Sequence, residues 1–97
     1  MGGVTMIVSF ADKDTERLSR GIRVPRFASF ERIALRKLRQ LQIARSLTDL
    51  RVPPGNRLEM LAGKRAGQHS IRINDQHRIC FTWTAAGAQD VEIVDYH

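Results

Sequence analysis

The period of the apolar residues changes once along the chain, and this change limits the possible folds more than any other feature. Before residue 52, apolar side chains recur at spacings of three and four, which is the period of an amphipathic helix. After residue 56 they alternate, which is the period of a strand with one buried face. Between these regions, Pro53, Pro54 and Gly55 end the preceding element and open a loop. The sequence therefore predicts a helical first half and a sheet-forming second half.

The first half predicts a short strand and two helices. Residues 6–10 are rich in β-branched and aromatic side chains, which favours a strand. Asp12 is placed to cap a helix over residues 13–20, and Gly21 is placed to end it. Ser29 is the expected N-cap of the longest helix, residues 30–44, and residues 46–50 predict one more helical turn. The longest helix carries Phe30, Ala34, Leu38 and Leu41 on one face and Arg32, Arg36 and Arg39 on the opposite face.

The second half predicts four strands, at residues 57–61, 70–73, 77–83 and 89–94, with a turn at 63–67 and a hairpin loop at 74–76. Alternation sorts their side chains onto two faces of the sheet. The apolar face comprises Ile71, Ile73, Ile79, Phe81, Val91 and Ile93, and the other face comprises Arg72, Arg78, Cys80, Glu92 and Val94, continued by Tyr96. We expect the helices to cover the apolar face and to leave the other open to solvent or ligand. The expected architecture is one α+β domain over residues 1–97, with helices on one face of a small antiparallel sheet.

Positive charge is concentrated in the first half of the chain. The net charge is +6, and residues 13–58 hold twelve Lys and Arg against four Asp and Glu. Such a field attracts polyanions and speeds association with them. The stripe of Arg32, Arg36 and Arg39 fits a solvated helix face, a docking surface for phosphate, or a surface for an acidic protein. Nucleic acid and an acidic protein are therefore both candidate partners.

The cysteine and histidine content indicates a site without a metal or a cofactor. The single cysteine, Cys80, excludes an internal disulfide and a multi-thiolate metal site. Because Cys80 lies within an apolar strand pattern, we interpret it as a small buried residue and not as a nucleophile. Three scattered histidines have no metal-ligand spacing. No apolar run approaches the roughly 18–20 residues needed to span a bilayer, and no signal peptide is evident, so we expect a cytoplasmic protein.

Three side chains that suit acid–base chemistry follow the last predicted strand. They are Asp95, Tyr96 and His97. Histidine titrates near neutrality, tyrosine can donate a proton or stack on a base, and a carboxylate can orient a histidine or act as a base. Arg78, on the same predicted face as Tyr96, can stabilise negative charge on a phosphate, although an ion pair with Glu92 is the alternative for this arginine. The set suits metal-free RNA cleavage by the neighbouring 2′-hydroxyl, with the acid and base assignments open.

The order and spacing of four segments resemble the HigB branch of the RelE/ParE toxin superfamily. These are residues 6–10, 61–67, 70–81 and 92–97. The resemblance implies a RelE/ParE-like fold in which the family domain begins near Met6, so that residues 1–5 form an extension. It also implies a type II toxin that cleaves mRNA within the ribosome. The implied partner is a HigA-type helix-turn-helix antitoxin, through which operator DNA is contacted only indirectly, and no membrane partner is implied.

The resemblance also assigns site residues. Its catalytic candidates are Asp95, Tyr96, His97 and Arg78. Lys64 and Arg65 are RNA-binding candidates near the position of the family's frequent lysine, and the charge pattern itself adds Arg72, Arg32, Arg36 and Arg39. The chain departs from the family pattern where Glu59 replaces a frequent histidine and Ala62 a frequent lysine. Either Lys64 or a neighbouring arginine supplies the missing charge, or the site is weaker than in relatives.

Two other functions fit parts of the sequence. A ParE-like toxin of the same fold that poisons DNA gyrase needs no acid–base cluster, so the Asp-Tyr-His segment argues against it. A non-catalytic basic module would be inert when expressed alone. Fold by itself cannot separate these possibilities.

Overall fold

The structure is a computed structural model that describes residues 7–96 of the 97-residue chain. Two α-helices precede an antiparallel sheet with strand order β1-β2-β3-β4. The helices are α1 (Lys13–Ser19) and α2 (Glu31–Ile43), and the strands are β1 (Glu59–Met60), β2 (His69–Arg72), β3 (His77–Thr84) and β4 (Gly87–Asp95). Short 3-10 turns lie at Pro25–Phe30, Leu47–Arg51, Pro54–Asn56 and Gly63–Arg65. The expected α+β class is confirmed.

The first helix has the predicted ends and is tied directly to the sheet. The Asp12 carboxylate accepts a hydrogen bond from the Thr15 backbone N–H at 3.2 Å, which satisfies one of the free donors of the first turn. Gly21 follows the helix with φ +85°, a conformation that glycine adopts without strain. The Thr15 hydroxyl, fully buried, accepts a hydrogen bond from the Ile93 backbone N–H at 3.0 Å. This bond fixes α1 against β4.

The predicted N-cap of the second helix is wrong. Ser29 lies exposed inside the 3-10 turn that starts at Pro25, and α2 begins at Glu31 after Phe30 as N-cap. Proline sets the φ angle of the first residue of that turn, and Phe30, which is buried, anchors its end in the core. Core packing therefore places the start of α2, and no side-chain cap at Phe30 is involved. The predicted faces of α2 are correct, since Ala34, Leu38 and Leu41 are buried.

The predicted N-terminal strand is only partly correct. Met6 lies outside the described residues, and the segment that follows forms an isolated parallel bridge, Phe10 to Val91. Hydrogen bonds from Val8 N–H to the Ala88 carbonyl and from Ala11 N–H to the Val91 carbonyl extend this contact. The segment is therefore an extended partner on the outer edge of β4, parallel to it.

The apolar face is buried, as the alternation predicted, but the other face is only partly open, because Ser70, Arg78 and Cys80 on it are buried. The side chains of Ile71, Ile73, Ile79, Phe81, Val91 and Ile93 are each at most 5% exposed and form the core with the helices. A register shift between Cys80 and Thr82, opposite Asp90 with φ +54°, introduces a bulge in β4. On the second face, the even-numbered pattern of β4 therefore applies to the residues after the bulge, such as Glu92 and Val94.

The segment that connects the helical half to the sheet contains a shorter strand and more 3-10 turns than predicted. The strand expected at 57–61 reduces to Glu59–Met60, because Arg57 adopts a left-handed conformation (φ 45°, ψ 58°) that ends the loop. The Val52–Pro53 peptide bond is cis. The turn predicted at 46–50 is present as Leu47–Arg51, and Ser46 and Asp49 form a capping box at its start.

Candidate functional site

Arg78 is a buried cation held on the even-numbered face of the sheet. Only 9% of the residue is exposed. Its Nε donates to the Ser70 hydroxyl at 2.6 Å, and its Nη2 donates to the Arg57 carbonyl and, at 3.4 Å, to the Ser70 carbonyl. The alternative sequence interpretation, an ion pair with Glu92, is not what the structure contains. The neutral oxygens of Ser70 and Arg57 thus hold the guanidinium in one orientation, and the Glu59 carboxylate pairs with it at 3.9 Å.

Glu59 is the carboxylate beside Arg78. Its register partner in β2 is Ser70, so both side chains lie on the Arg78 side of the sheet. The Glu59 Oε1 atom lies 3.9 Å from Arg78 Nη2, and 57% of the Glu59 side chain is exposed. In the sequence, Glu59 was notable only because it replaces a histidine that is frequent in the family. The structure places it where a carboxylate can reach a ligand bound to Arg78.

Arg65 supplies the second cation of this face. Its Nη2 lies 3.3 Å from Glu92 Oε1, and its Nη1 donates to Gln68 at 2.9 Å. The 3-10 turn Gly63–Arg65 carries Arg65 over the sheet and leaves Lys64 and Ala62 exposed at the periphery. Of the two candidates for the missing family charge, Arg65 is therefore the one that reaches the face.

Tyr96 lies over the same face, above Cys80. The Tyr96 backbone N–H donates to the Gln76 carbonyl, which fixes the position of the residue at the end of β4. Burial, and to a smaller extent Cys80, raises the pKa of Tyr96, so the phenol stays protonated at neutral pH. Burial likewise raises the pKa of Cys80, which is fully buried. Cys80 is therefore a neutral packing residue, as its sequence context indicated, and not a thiolate nucleophile.

We call the set of Glu59, Arg65, Arg72, Arg78, Glu92 and Tyr96 the Arg78 face. Arg72 is the direct neighbour of Arg78 across β2 and β3 and pairs with Asp75. The face thus combines three guanidinium groups and a protonated phenol with two carboxylates, of which Glu59 is the exposed one. Such a surface can bind a phosphate, accept a proton and donate one.

Five of the sequence candidates lie away from the Arg78 face or outside the described residues. Asp95 is the last residue of β4 and pairs in register with His77, so alternation directs both side chains toward the helix side of the sheet. On that side, the centroids of the His77 and Phe30 rings are 4.3 Å apart. His97 lies outside the described residues. The stripe of Arg32, Arg36 and Arg39 is exposed on α2, which packs on the opposite side of the sheet from Arg78. The structure therefore separates the helix stripe from the Arg78 face.

The groups that hold Arg78 in place could not be identified from the sequence. Ser70 is fully buried, and the Arg57 oxygen is a backbone atom. The buried Ser70 hydroxyl needs a hydrogen bond, but β2 (His69–Arg72) is mostly polar in sequence, so the serine does not stand out there. A backbone acceptor from a loop 21 residues away carries no sequence signal at all.

Within residues 7–96, no group of three or more His, Cys, Asp or Glu side chains is arranged to hold a metal ion. Over the same part of the chain, no helix combines the length and the apolar character needed to cross a bilayer.

Comparison with known proteins identifies relatives of this chain. Residues 8–97 match a family described as "RelE-like toxin of type II toxin-antitoxin system HigB". Toxin HigB-1 of Vibrio cholerae serotype O1 is 41% identical over 80 residues, which cover 80% of this chain and 84% of that protein. An uncharacterized protein of Haemophilus influenzae is 36% identical over 52 residues, which cover 54% of this chain and 52% of that protein.

Proposed function

Because the chain belongs to the HigB-like family of RelE-like toxins from type II toxin–antitoxin systems, we propose that it is an endoribonuclease that cleaves mRNA on the ribosome. The observation that carries this proposal is the Arg78 guanidinium, anchored by Ser70 and the Arg57 carbonyl on a face that also bears Glu59 and Tyr96. A protein that acts only by binding has no need for a proton acceptor and a proton donor around a fixed cation. The match to HigB toxins likewise favours this function over gyrase poisoning.

The proposed reaction is transesterification at a phosphodiester. The 2′-oxygen attacks phosphorus while a base takes its proton, and the P–O bond to the 5′-oxygen breaks while an acid protonates that oxygen. The products are a 2′,3′-cyclic phosphate and a 5′-hydroxyl. Each positioned acid or base typically contributes about a hundred- to ten-thousand-fold to such a rate.

The described residues support a division of roles. Arg78, with Arg72 beside it, stabilises the added negative charge of the phosphorane, since preorganised donors act most strongly on charge that develops in the transition state. Glu59 is a base on this face, and Tyr96 is a protonated donor that can also stack on a splayed nucleotide base. His97 and Asp95 remain candidates of the same proposal as acid, base or orienting group.

The proposed partners divide between the two sides of the molecule. The Arg78 face, with Arg65 and Lys64 at its rim, receives the mRNA. The exposed stripe of Arg32, Arg36 and Arg39 suits ribosomal RNA phosphates, which the net charge of +6 attracts over a distance. A toxin of a type II system has an antitoxin partner, and we propose that it is of HigA type.

The test is to map the 5′ ends of cellular mRNA after brief induction of each variant. Wild type is expected to arrest growth and to create new 5′ ends within reading frames. Arg78→Ala and Tyr96→Phe are expected to lose both effects, each by a hundred-fold or more in cleavage rate, in keeping with about a hundred- to ten-thousand-fold per catalytic group. Lys13→Met, an exposed change on α1, is the matched control and should behave as wild type.

Two results would contradict the proposal. Unchanged cut patterns in the Arg78→Ala variant would mean that the site is misplaced. Growth arrest with intact mRNA and broken DNA would indicate a gyrase poison.

A further inference from the structure

Lys37 is a buried ammonium that the proposed chemistry does not use. It lies on α2 and is only 8% exposed, although α2 offers an exposed face to three arginines. Its Nζ donates to the Asn56 Oδ1 atom. Burial lowers the pKa of Lys37, and the positive charges of Arg36 and Arg72 lower it further. Burying a cation beside other cations opposes folding, so stability alone does not account for the position of Lys37.

Asn56, the partner of Lys37, is a fully buried junction of the loop between the two halves of the chain. Its Nδ2 donates to the Gln40 Oε1 atom at 2.9 Å and to the Leu50 carbonyl at 3.1 Å. The Asn56 side chain therefore connects the loop to α2, through Lys37 and Gln40, and to the 3-10 turn Leu47–Arg51, through the Leu50 carbonyl. A buried polar side chain with every group satisfied fixes its surroundings more strictly than an apolar one does.

The loop that Asn56 fixes delivers an oxygen to Arg78. The next residue, Arg57, has φ 45° and ψ 58°, which are uncommon for a residue other than glycine and persist only where neighbouring structure enforces them. The Arg57 carbonyl accepts the hydrogen bond from Arg78 Nη2. A continuous series of contacts thus runs from Lys37 through Asn56 and the Arg57 backbone to the Arg78 guanidinium.

We infer that Lys37 and Asn56 are positioning residues for Arg78, which fix the Arg57 carbonyl so that the guanidinium meets the scissile phosphate in the productive orientation. The inference rests on the proposed function of the Arg78 face. Ser70 holds the guanidinium from within the sheet, and the Arg57 carbonyl, on the loop that the Lys37–Asn56 pair orders, holds it from the other side. Neither positioning residue touches the RNA, since both are buried.

The first measurement is mRNA cleavage in single turnover on purified programmed ribosomes, with Lys37→Met and Asn56→Asp compared with wild type. Lys37→Met keeps the length of the stem and removes the ammonium. Asn56→Asp keeps an acceptor for Lys37 and removes the amide donor. Each variant is expected to lower the rate at saturating ribosome by about 10- to 100-fold, the usual cost of misplacing a catalytic group by an ångström. The ribosome concentration at half-saturation should not change, and Lys13→Met is the matched Lys-to-Met control.

A double-mutant comparison separates positioning from general damage to the fold. In an Arg78→Lys background, which lacks the forked guanidinium, Lys37→Met should lower the rate by no more than about threefold, because coupled residues are not additive. An equal loss in both backgrounds, at a temperature well below each melting point, would overturn the inference. So would a rise in the half-saturating concentration without a fall in the limiting rate.

A third measurement does not depend on cleavage. The Nε–H signal of Arg78 in the free toxin, observed by NMR, reports the order of the guanidinium. Wild type and Lys13→Met should show a rigid, hydrogen-bonded Nε–H, and Lys37→Met should show a mobile one. If wild type does not cleave mRNA, the proposed function fails while this signal still tests the contacts. If Arg78 stays rigid in Lys37→Met, the positioning role is wrong whatever the activity.

Discussion

Removing the Ser70 hydroxyl should destabilise the protein more than an ordinary serine substitution. Ser70 is fully buried, and its hydroxyl accepts the 2.6 Å hydrogen bond from Arg78 Nε. Only 11% of the Arg78 side chain is exposed, so water cannot readily replace the lost acceptor. A hydrogen bond to a charged group contributes about 1.5–3 kcal/mol, and a buried donor left unpaired costs a similar amount. We therefore expect Ser70→Ala to lower the free energy of unfolding by about 2 kcal/mol.

Urea denaturation followed by circular dichroism measures this change. In thermal unfolding, each kcal/mol of lost stability lowers the melting temperature of a domain of this size by about 4–8 °C, so Ser70→Ala should lower it by roughly 8–16 °C. Ser29→Ala is the control, because Ser29 is exposed and surface substitutions usually stay within about 0.5 kcal/mol.

The cause can be separated from a packing effect by combining Ser70→Ala with Arg78→Met. Without the guanidinium there is no donor to leave unpaired, so Ser70→Ala should then cost less than about 0.5 kcal/mol, and the coupling energy should exceed about 1 kcal/mol. A loss of the same size in both backgrounds would show that the hydroxyl does not act through Arg78. A loss below about 0.5 kcal/mol in the wild-type background would refute the reasoning about the buried cation altogether.

Two further predictions concern stability. Ile79→Ala, at a fully buried position in β3, should cost about 2–5 kcal/mol in urea denaturation, whereas Ile43→Ala, at a side chain that is 64% exposed, should cost about 0.5 kcal/mol or less; equal losses would contradict the assigned core. The backbone N–H groups of Arg45 and Ser46 donate to Asp49 and lower its pKa below the ordinary 3.8, so its stabilising effect is present above that pH and is lost as the pH falls through the depressed value. Asp49→Asn should therefore show a smaller loss of stability on acidification from pH 5 to pH 2, measured by thermal unfolding, and an identical pH dependence would argue against the cap.

The sequence predicted elements well where burial repeats at a regular interval, and poorly where packing sets an element's end. Alternation in β3 and β4 identified the buried face, because successive side chains of a strand must point to opposite sides. Ser29 has the local preference of an N-cap, yet Pro25 and the burial of Phe30 place the start of α2 at Glu31, one residue later than predicted. Residues 7–11 have strand propensity, but their pairing depends on the free edge of β4, which no local pattern reveals.

Composition and period by themselves determined the α+β class, the apolar face of the sheet, the apolar face of α2 and the basic character that favours an acidic partner. Only the tertiary structure decided which charges meet on the Arg78 face: Arg65 with Glu92, 27 residues apart, and Arg78 with the Arg57 carbonyl, 21 residues apart. The physical reason is that side-chain direction within an element follows from local backbone geometry, whereas the partner of a charge depends on which loop crosses the sheet above it. For the same reason the Lys37–Asn56 contact, which spans 19 residues, could not be inferred from sequence.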